Sequence, residues 1–418
     1  MAQLADPITL PSGLRLPNRI AKAAMTENLA DADNQPTEAL ERLYARWARG
    51  GSGLLVTGNL MVDRRFLERS RNVVADDHLD VARLRAVGEA VRVNAAGTAV
   101  LAQINHPGRQ TNRFVAWEPV APSAVDAVPM MGLFGKPRAL SAAEVDDVVA
   151  GFGKAAMLCA EAGLDGVQVH AAHGYLLAQF LSPRVNKRSD RWGGAVADRA
   201  RALLACVRAA RANSADGGTV AVKLNSSDFR HGGFTEDDAE KVVRLLVEEG
   251  IDLIEVSGGT YEDPALFGLS EEQRTGRSEK EAYFAGFAQR ARSAAPTTPV
   301  MLTGGIRTRA VMEELLASGD VDVIGLGRPL AIDPDLAAKL LEGHDGRELP
   351  SYDLPTVAGM AGESEWYEAQ IGRMGEGKEP DEGLSALKAA SSFVTGEMVR
   401  GLGGRRRRAR LVEQLRRP

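Results

Sequence analysis

What constrains this chain most is a rhythm. Eight short apolar runs, each too short for a helix of usual length, alternate with longer helical patterns. The runs are "RIAKAAM" (19–25), "GLLVTGN" (53–59), "AVLAQIN" (99–105), "GVQVHAA" (166–172), "VAVKLNS" (220–226), "LIEVSGG" (253–259), "VMLTGGI" (300–306) and "VIGLGR" (323–328). Most end in glycine or a polar residue, as strands entering a loop do. Two of the intervening stretches carry helix-start signals. Ser141 with Glu144 forms a capping-box pattern and the helix it opens should stop near Gly163. Thr235 with Asp238 does the same up to Gly250, and Val242, Val243, Leu245 and Leu246 form an apolar stripe between them.

Nearly continuous apolar strands alternating with helices predict a parallel sheet covered on its outer side. Two closures are available. An open doubly wound sheet calls for a glycine-rich dinucleotide turn after the first strand, and that turn reads "AAMTENLA". An eight-fold β/α (TIM) barrel has no sheet edge to protect, and it is the expected α/β fold. The barrel should occupy residues 1–345. Its third connection, 106–140, is long and Pro-rich, as lids and binding loops are. Residues 346–418 contain no further β/α unit and should form a mostly helical C-terminal extension with an Arg-rich end. There Arg405–Arg408 suit a solvated helix end or a subunit contact better than an anionic partner. Trp366 and Tyr367 could pack on a second copy, which leaves a homo-oligomer open.

Composition narrows the partners. The net charge of −5 argues against nucleic acid. No apolar run reaches the ~18 residues of a membrane span, and the N-terminus lacks a leader pattern, so a cytoplasmic protein is expected. Cys159 and Cys206 lie in apolar helical patterns and should be buried free thiols. Without a CxxC there is no iron–sulfur or zinc-ribbon spacing.

Barrel active sites lie at the C-terminal ends of the strands. Those ends supply Met25, Thr26, Gly58, Asn59, Gln103, His170, His173, Lys223, Asn225, Ser257, Gly258, Gly259, Gly304, Gly305, Gly327 and Arg328. Glycine pairs after strands seven and eight, each leading into a helix, suit a phosphate, and Arg328 adds a bidentate cation. Gln103 can present both donor and acceptor to a heterocyclic edge. Lys223 inside the mouth needs a negative partner, either an anionic cofactor such as a reduced flavin or a carboxylate. His170 and His173 admit three readings. A metal site lacks a third protein ligand, so none is expected. A quiet core pair is the second. The third is two N–H donors converging on an oxygen where negative charge develops, with Tyr175 on the loop beyond as general acid.

The stretch "QVHAAHGYLLAQFLSPRVNKRSDRWGGAVADRA" resembles the signature of the Old Yellow Enzyme family of FMN-dependent NAD(P)H oxidoreductases. "PNRIAKAAMTE", "QINHPGRQ", "VKLNSSDF" and "GLGRPL" continue the resemblance over roughly residues 5–340. It implies FMN at the barrel mouth, with NAD(P)H as reductant, and an N-terminal hairpin, "ITLPSGLRLPNR", closing the floor. By matching motif it implies Ala24, Met25 and Thr26 along the flavin, Thr26 near its O4. Gly58 and Gln103 should meet the ring, Lys223 its N1–O2 edge, and Gly304, Gly305, Gly327 and Arg328 its phosphate. His170 and His173 should hold a substrate carbonyl, with Asn28 where relatives place a substrate-contacting Tyr. The implied activity is reduction of an electron-poor alkene: hydride from flavin N5 to the β-carbon, and a proton from Tyr175 to the α-carbon. Two alternatives remain: an FMN barrel dehydrogenase oxidising an amine or dihydro-heterocycle, and a flavin-binding redox sensor. Larger relatives with an iron–sulfur cluster and a dinucleotide domain have cysteines and length that this chain lacks.

Overall fold

The computed structural model describes residues 2–130, 132–258, 281–350 and 356–415. Within them eight parallel strands close on themselves: β1 (Ile20–Lys22), β2 (Leu54–Val56), β3 (Ala99–Asn105), β4 (Gly166–Ala171), β5 (Thr219–Asn225), β6 (Leu253–Ser257), β7 (Val300–Thr303) and β8 (Val323–Leu326). The ring closes because β8 pairs with β1, Gly325 opposite Ala21. Each expected run coincides with one of these strands, β5 starting one residue before its run. Gly259, read as the end of the sixth run, lies outside the described residues.

Helices α1 (Glu38–Arg49), α2 (Val81–Asn94) and α3 (Ala142–Glu161) follow the first three strands. After β4 come α4 (Leu176–Leu181) and α5 (Val196–Asn213), then α6 (Glu236–Glu248), α7 (Ala285–Ala294) and α8 (Arg309–Ser318) after β5, β6 and β7. Two short helices, α9 (Arg328–Ile332) and α10 (Leu336–Leu341), complete the ring. Both helix-start signals hold: Ser141 and Glu144 form a reciprocal capping box, and the Thr235 hydroxyl accepts from the Asp238 N–H. Both stops hold too, with Gly163 and Gly250 at φ 76° and 70°, a left-handed turn that glycine makes without Cβ strain.

Alternation along the strands divides the core in two. Ile20, Leu55, Val100, Val167 and Val222 face the helices in one large apolar cluster. Their neighbours Ala21, Leu54, Val56, Leu101, Ala221, Leu253, Met301 and Val323 point inward and form a separate plug. The N-terminal hairpin, Ile8–Thr9 against Arg15–Leu16, inserts Leu10 and Leu16 into that plug and seals the floor. Gly325 is required inside it, since a Cβ there would lie 1.9 Å from the Thr303 hydroxyl. Cys159 and Cys206 are buried free thiols, as expected.

The chain continues past the barrel into α11 (Thr356–Gly375) and α12 (Ala386–Leu415). Trp366 and Tyr367 are buried against their own barrel, where α11 packs on α1 and α9, so they are not the surface for a second copy that the sequence allowed. Three of the four arginines of the basic run have contacts within the chain, and Arg406 is exposed. Arg405 lies over Trp117 and donates to the carbonyls of Arg113 and Phe114, Arg407 pairs with Asp33, and Arg408 is buried. Among the described residues no helix is long and apolar enough to cross a membrane.

Candidate active site

Two residues further along each inward row, the plug turns polar. Leu101 gives way to Gln103, Ala221 to Lys223, Leu253 to Glu255 and then Ser257, and Met301 to Thr303. Strand register sets these side chains beside one another, with Gln103 opposite Gln168, His170 opposite Lys223, and Lys223 opposite Glu255. They form the base of a cavity of roughly 290 Å³ at the barrel mouth. Its lining brings together most of the expected residues: Ala24, Met25, Thr26, Gln103, His170, His173, Tyr175, Lys223, Gly304, Gly305, Gly327 and Arg328.

Lys223 does not wait for a cofactor. Its Nζ lies 2.8 Å from Glu255 Oε1, and the two residues are only 3% and 0% exposed. The contact is a close ion pair without the angle of a hydrogen bond, since that oxygen has no hydrogen-bond partner. A carboxylate on the neighbouring strand thus balances the lysine's charge. Glu255 Oε2 accepts from Gln168 Nε2 at 2.7 Å, and Gln168 Oε1 accepts from Gln103 Nε2 at 2.7 Å. A chain of hydrogen bonds thus runs from the charge pair to the amide expected at the flavin.

The two histidines also form a chain. His170 Nε2 is 3.3 Å from His173 Nδ1, and His173 Nε2 is 2.8 Å from the Ser257 hydroxyl. Burial, reinforced by the Lys223 charge, holds both imidazoles well below the usual histidine range, so both are neutral. His170 Nδ1 has no partner. An unpaired acceptor is cheaper to bury than an unpaired N–H, which places the His170 proton on Nε2. His170 then donates to His173, and His173 donates from Nε2 to Ser257. The second histidine sits at φ 58°, a conformation that costs on the order of 1 kcal/mol for such a residue. Its N–H donates to Asn225 Oδ1 at 3.0 Å and its carbonyl accepts from Gln110 Nε2 at 3.0 Å, which hold it there. Tyr175 stands just beyond, its ring centroid 4.8 Å from that of His170, and it is buried.

At the opposite wall, Gly304 and Gly305 have φ of 137° and 72°. A Cβ on either would meet an aromatic ring, Phe284 at 2.6 Å and Tyr283 at 2.5 Å, so these turns admit only glycine. The buried Thr303 hydroxyl beside them has no partner. Arg328 Nη1 donates to Glu363 Oε1 of α11 at 2.5 Å.

Two expected residues lie elsewhere. Gly58 does not line the cavity; its N–H donates to Glu27 Oε1 at 2.7 Å, and the close approach of the Met25 carbonyl is why it is glycine. Asn59, beside it, takes the place in the wall. Asn28 does not line the cavity either. Its amide donates to Glu368 and Glu397 at 2.7 and 3.0 Å, and its oxygen accepts from the Arg71 N–H, so it ties the two C-terminal helices to the barrel. Thr26, by contrast, stays in the wall, where its hydroxyl meets Glu68 at 3.1 Å.

Among the described residues, the connection 106–140 contributes none to the lining of this cavity. It borders a separate polar pocket with Arg109, Asp126 and Lys136. The wall expected from it is supplied by α11, through Glu363, Ser364, Tyr367, Glu368 and Ile371. That helix is fixed by a buried charge cluster in which Arg69 pairs with Glu365 at 3.1 Å and Glu368 at 3.3 Å. Burial pushes the Glu365 and Glu368 carboxyls above the usual range. Glu397 of α12 accepts from the Ser70 N–H and from Asn112. Among the described residues no group of three His, Cys, Asp or Glu side chains could hold a metal.

A polar-lined mouth on a closed β/α barrel, with glycine turns and Arg328 on one side and a pair of neutral imidazoles on the other, suits a flavin-dependent oxidoreductase of the barrel class. The chain belongs to the Old Yellow Enzyme family: its residues 3–346 match the NADH:flavin oxidoreductase / NADH oxidase family. It is 37% identical over 394 residues to an NADH-dependent flavin oxidoreductase of Neonectria sp., covering 88% of this chain and 51% of that protein. It is 36% identical to an enzyme of the same description from Hypocrea jecorina, covering 88% of this chain and 94% of that one. The chain thus spans about half the length of the first relative and nearly all of the second. An old yellow enzyme homologue from Zymomonas mobilis superposes with a TM-score of 0.70 at 25% identity, over 85% of this chain and 98% of that one. The cofactor is FMN, with NAD(P)H as reductant.

Proposed function

We propose that this flavin oxidoreductase reduces electron-poor alkenes of the enone type. The observation that carries the reading is the pair of neutral imidazoles, chained to Ser257 and flanked by Tyr175, in the same cavity as the glycine turns and Arg328. The residues fit the cofactor: Thr303 has a buried hydroxyl to give and Gln103 a carbonyl to offer, and both line the cavity. Gly304, Gly305, Gly327 and Arg328 would hold its phosphate, and Gln103, Thr26 and Lys223 its ring. FMN, when bound, supplies the redox chemistry, taking two electrons from NAD(P)H and delivering them to the alkene.

The protein's own part is electrostatic and positional. A carbonyl oxygen entering the cavity competes for the donors of His170 and His173. Because both imidazoles are neutral, they polarise the oxygen without protonating it, and one such donor is typically worth about 3 kcal/mol as charge develops. Tyr175 then gives its phenolic proton to the α-carbon. The ion pair of Lys223 and Glu255 carries no net charge, so the base of the cavity does not oppose an uncharged substrate.

The test is an anaerobic one. Enzyme reduced by NADH or NADPH is mixed with 2-cyclohexenone while flavin absorbance is followed. Rapid return of the oxidised spectrum, with formation of the saturated ketone, is expected. If enones leave the reduced flavin unchanged while an amine or dihydro-heterocycle bleaches the oxidised form, the enzyme is a dehydrogenase of the same barrel class.

A further inference from the structure

The family match ends at residue 346, yet one wall of the cavity comes from α11, which begins at Thr356. The helix is not loosely laid across the mouth. Trp366 is fully buried, and Gln370 exchanges hydrogen bonds with the backbone of Asp381 at 2.8 and 2.7 Å. Arg42 Nε donates to the Gly375 carbonyl at 2.8 Å. So α11 presents a fixed face.

On that face Tyr367 is only 4% exposed, lines the cavity, and has a hydroxyl with no hydrogen-bond partner among the described residues. Native structures rarely bury a hydroxyl this way, and such an atom points to a ligand. Its surroundings say which end of the ligand. The Arg328 guanidinium is 6.0 Å from the ring centroid, and Arg328 follows β8, next to the Gly304–Gly305 turn after β7. The histidines are on β4 and the loop after it, and in a ring of eight strands β4 stands opposite β8. Tyr367 therefore belongs to the anion side of the cavity, away from the substrate clamp. Burial pushes its phenol up to about 12, which leaves it a donor at any working pH. Glu363, one turn earlier, takes a single nitrogen of Arg328 and fixes the guanidinium, whose other donors suit a phosphate.

We propose that Tyr367 is a cofactor-binding residue whose hydroxyl donates to the flavin phosphate, so that a helix beyond the family-matched region helps set how firmly FMN is held. This rests on the flavin reading of the cavity.

The test uses the full-length protein and its Tyr367→Phe variant, each stripped of flavin and titrated with FMN and with riboflavin by quenching of flavin fluorescence. Riboflavin has the same ring but no phosphate. The variant should lose about ten- to a hundredfold in FMN affinity, the worth of one hydrogen bond to a charged acceptor, with riboflavin affinity unchanged. An equal loss for both flavins would mean a packing role only and overturns the proposal, as does unaltered FMN affinity. Wild-type protein that takes up neither flavin overturns it together with the reading beneath it, and that outcome is seen before the variant is used.

Discussion

Replacing Glu255 with Gln removes one charge of a sealed pair and leaves the shape almost unchanged. At 2.8 Å the attraction between Lys223 and Glu255 is ~6 kcal/mol for an effective dielectric of about 20. Most of that only offsets the cost of taking both ions out of water. Losing the carboxylate alone forfeits the attraction and keeps the ammonium's desolvation, so a loss of about 3–5 kcal/mol is expected. At about 1 °C per kcal/mol for a chain of 418 residues, the melting temperature of flavin-free protein should fall by about 3–6 °C. The Gln168 donor still finds a carbonyl, so the loss is electrostatic and not a broken hydrogen bond. The double variant Lys223→Met with Glu255→Gln is the control. With neither charge present it should recover most of the stability, to within about 1 kcal/mol of wild type. The assay is thermal unfolding followed by circular dichroism on all three proteins at one pH. A single variant as stable as wild type, or a double variant no better than the single, would refute the claim that Glu255 neutralises a sealed lysine.

Three further outcomes are expected. Tyr175→Phe should slow enone reduction by about 10²-fold or more while flavin retention is unchanged; an unaltered oxidative rate in stopped flow would remove Tyr175 from the proton step. Ser257→Ala leaves His173 Nε2 without its protein partner, and should lower kcat for the enone about tenfold with little change in KM, while Ser257→Thr restores it. Equal losses in both variants would count against positioning through the hydroxyl. Docking of α11 should weaken as pH rises. The buried Glu365 and Glu368 carboxyls bind protons more tightly docked than free, so their contribution is complete below about 4.5. It is lost as pH passes the values near 7 and 9 to which burial pushes Glu368 and Glu365. Limited proteolysis of the C-terminal helices should be faster at pH 9 than at pH 6, and pH-independent cleavage would contradict this.

The barrel was legible because its signal is periodic and repeated eight times, and an error in one run would not have changed the closure. The glycine turns, Lys223 and the histidines were legible because they stand at strand ends. Glu255 and Gln168 were missed although the pattern contained them: each sits two residues before a recognised end residue, Ser257 and His170, and so on the same face of its strand. Counting back by two would have exposed the lysine's partner. Asn28 and the wall made by α11 are different. Which helix covers a barrel mouth depends on contacts between residues more than 300 positions apart, such as Asn28 with Glu368, and no local period encodes them.

The amide chain below the cavity has a sense of direction. Because Glu255 can only accept, Gln168 must turn its nitrogen toward it, and Gln103 must in turn give its own nitrogen to Gln168. What remains for a guest at Gln103 is its oxygen, with the second hydrogen of its nitrogen beside it. A negative charge on β6 thus decides, through two intervening side chains, that β3 shows an acceptor to whatever lies above it. Such a relay favours a guest that brings an N–H to that edge, and it keeps its sense for as long as residue 255 offers Gln168 an oxygen.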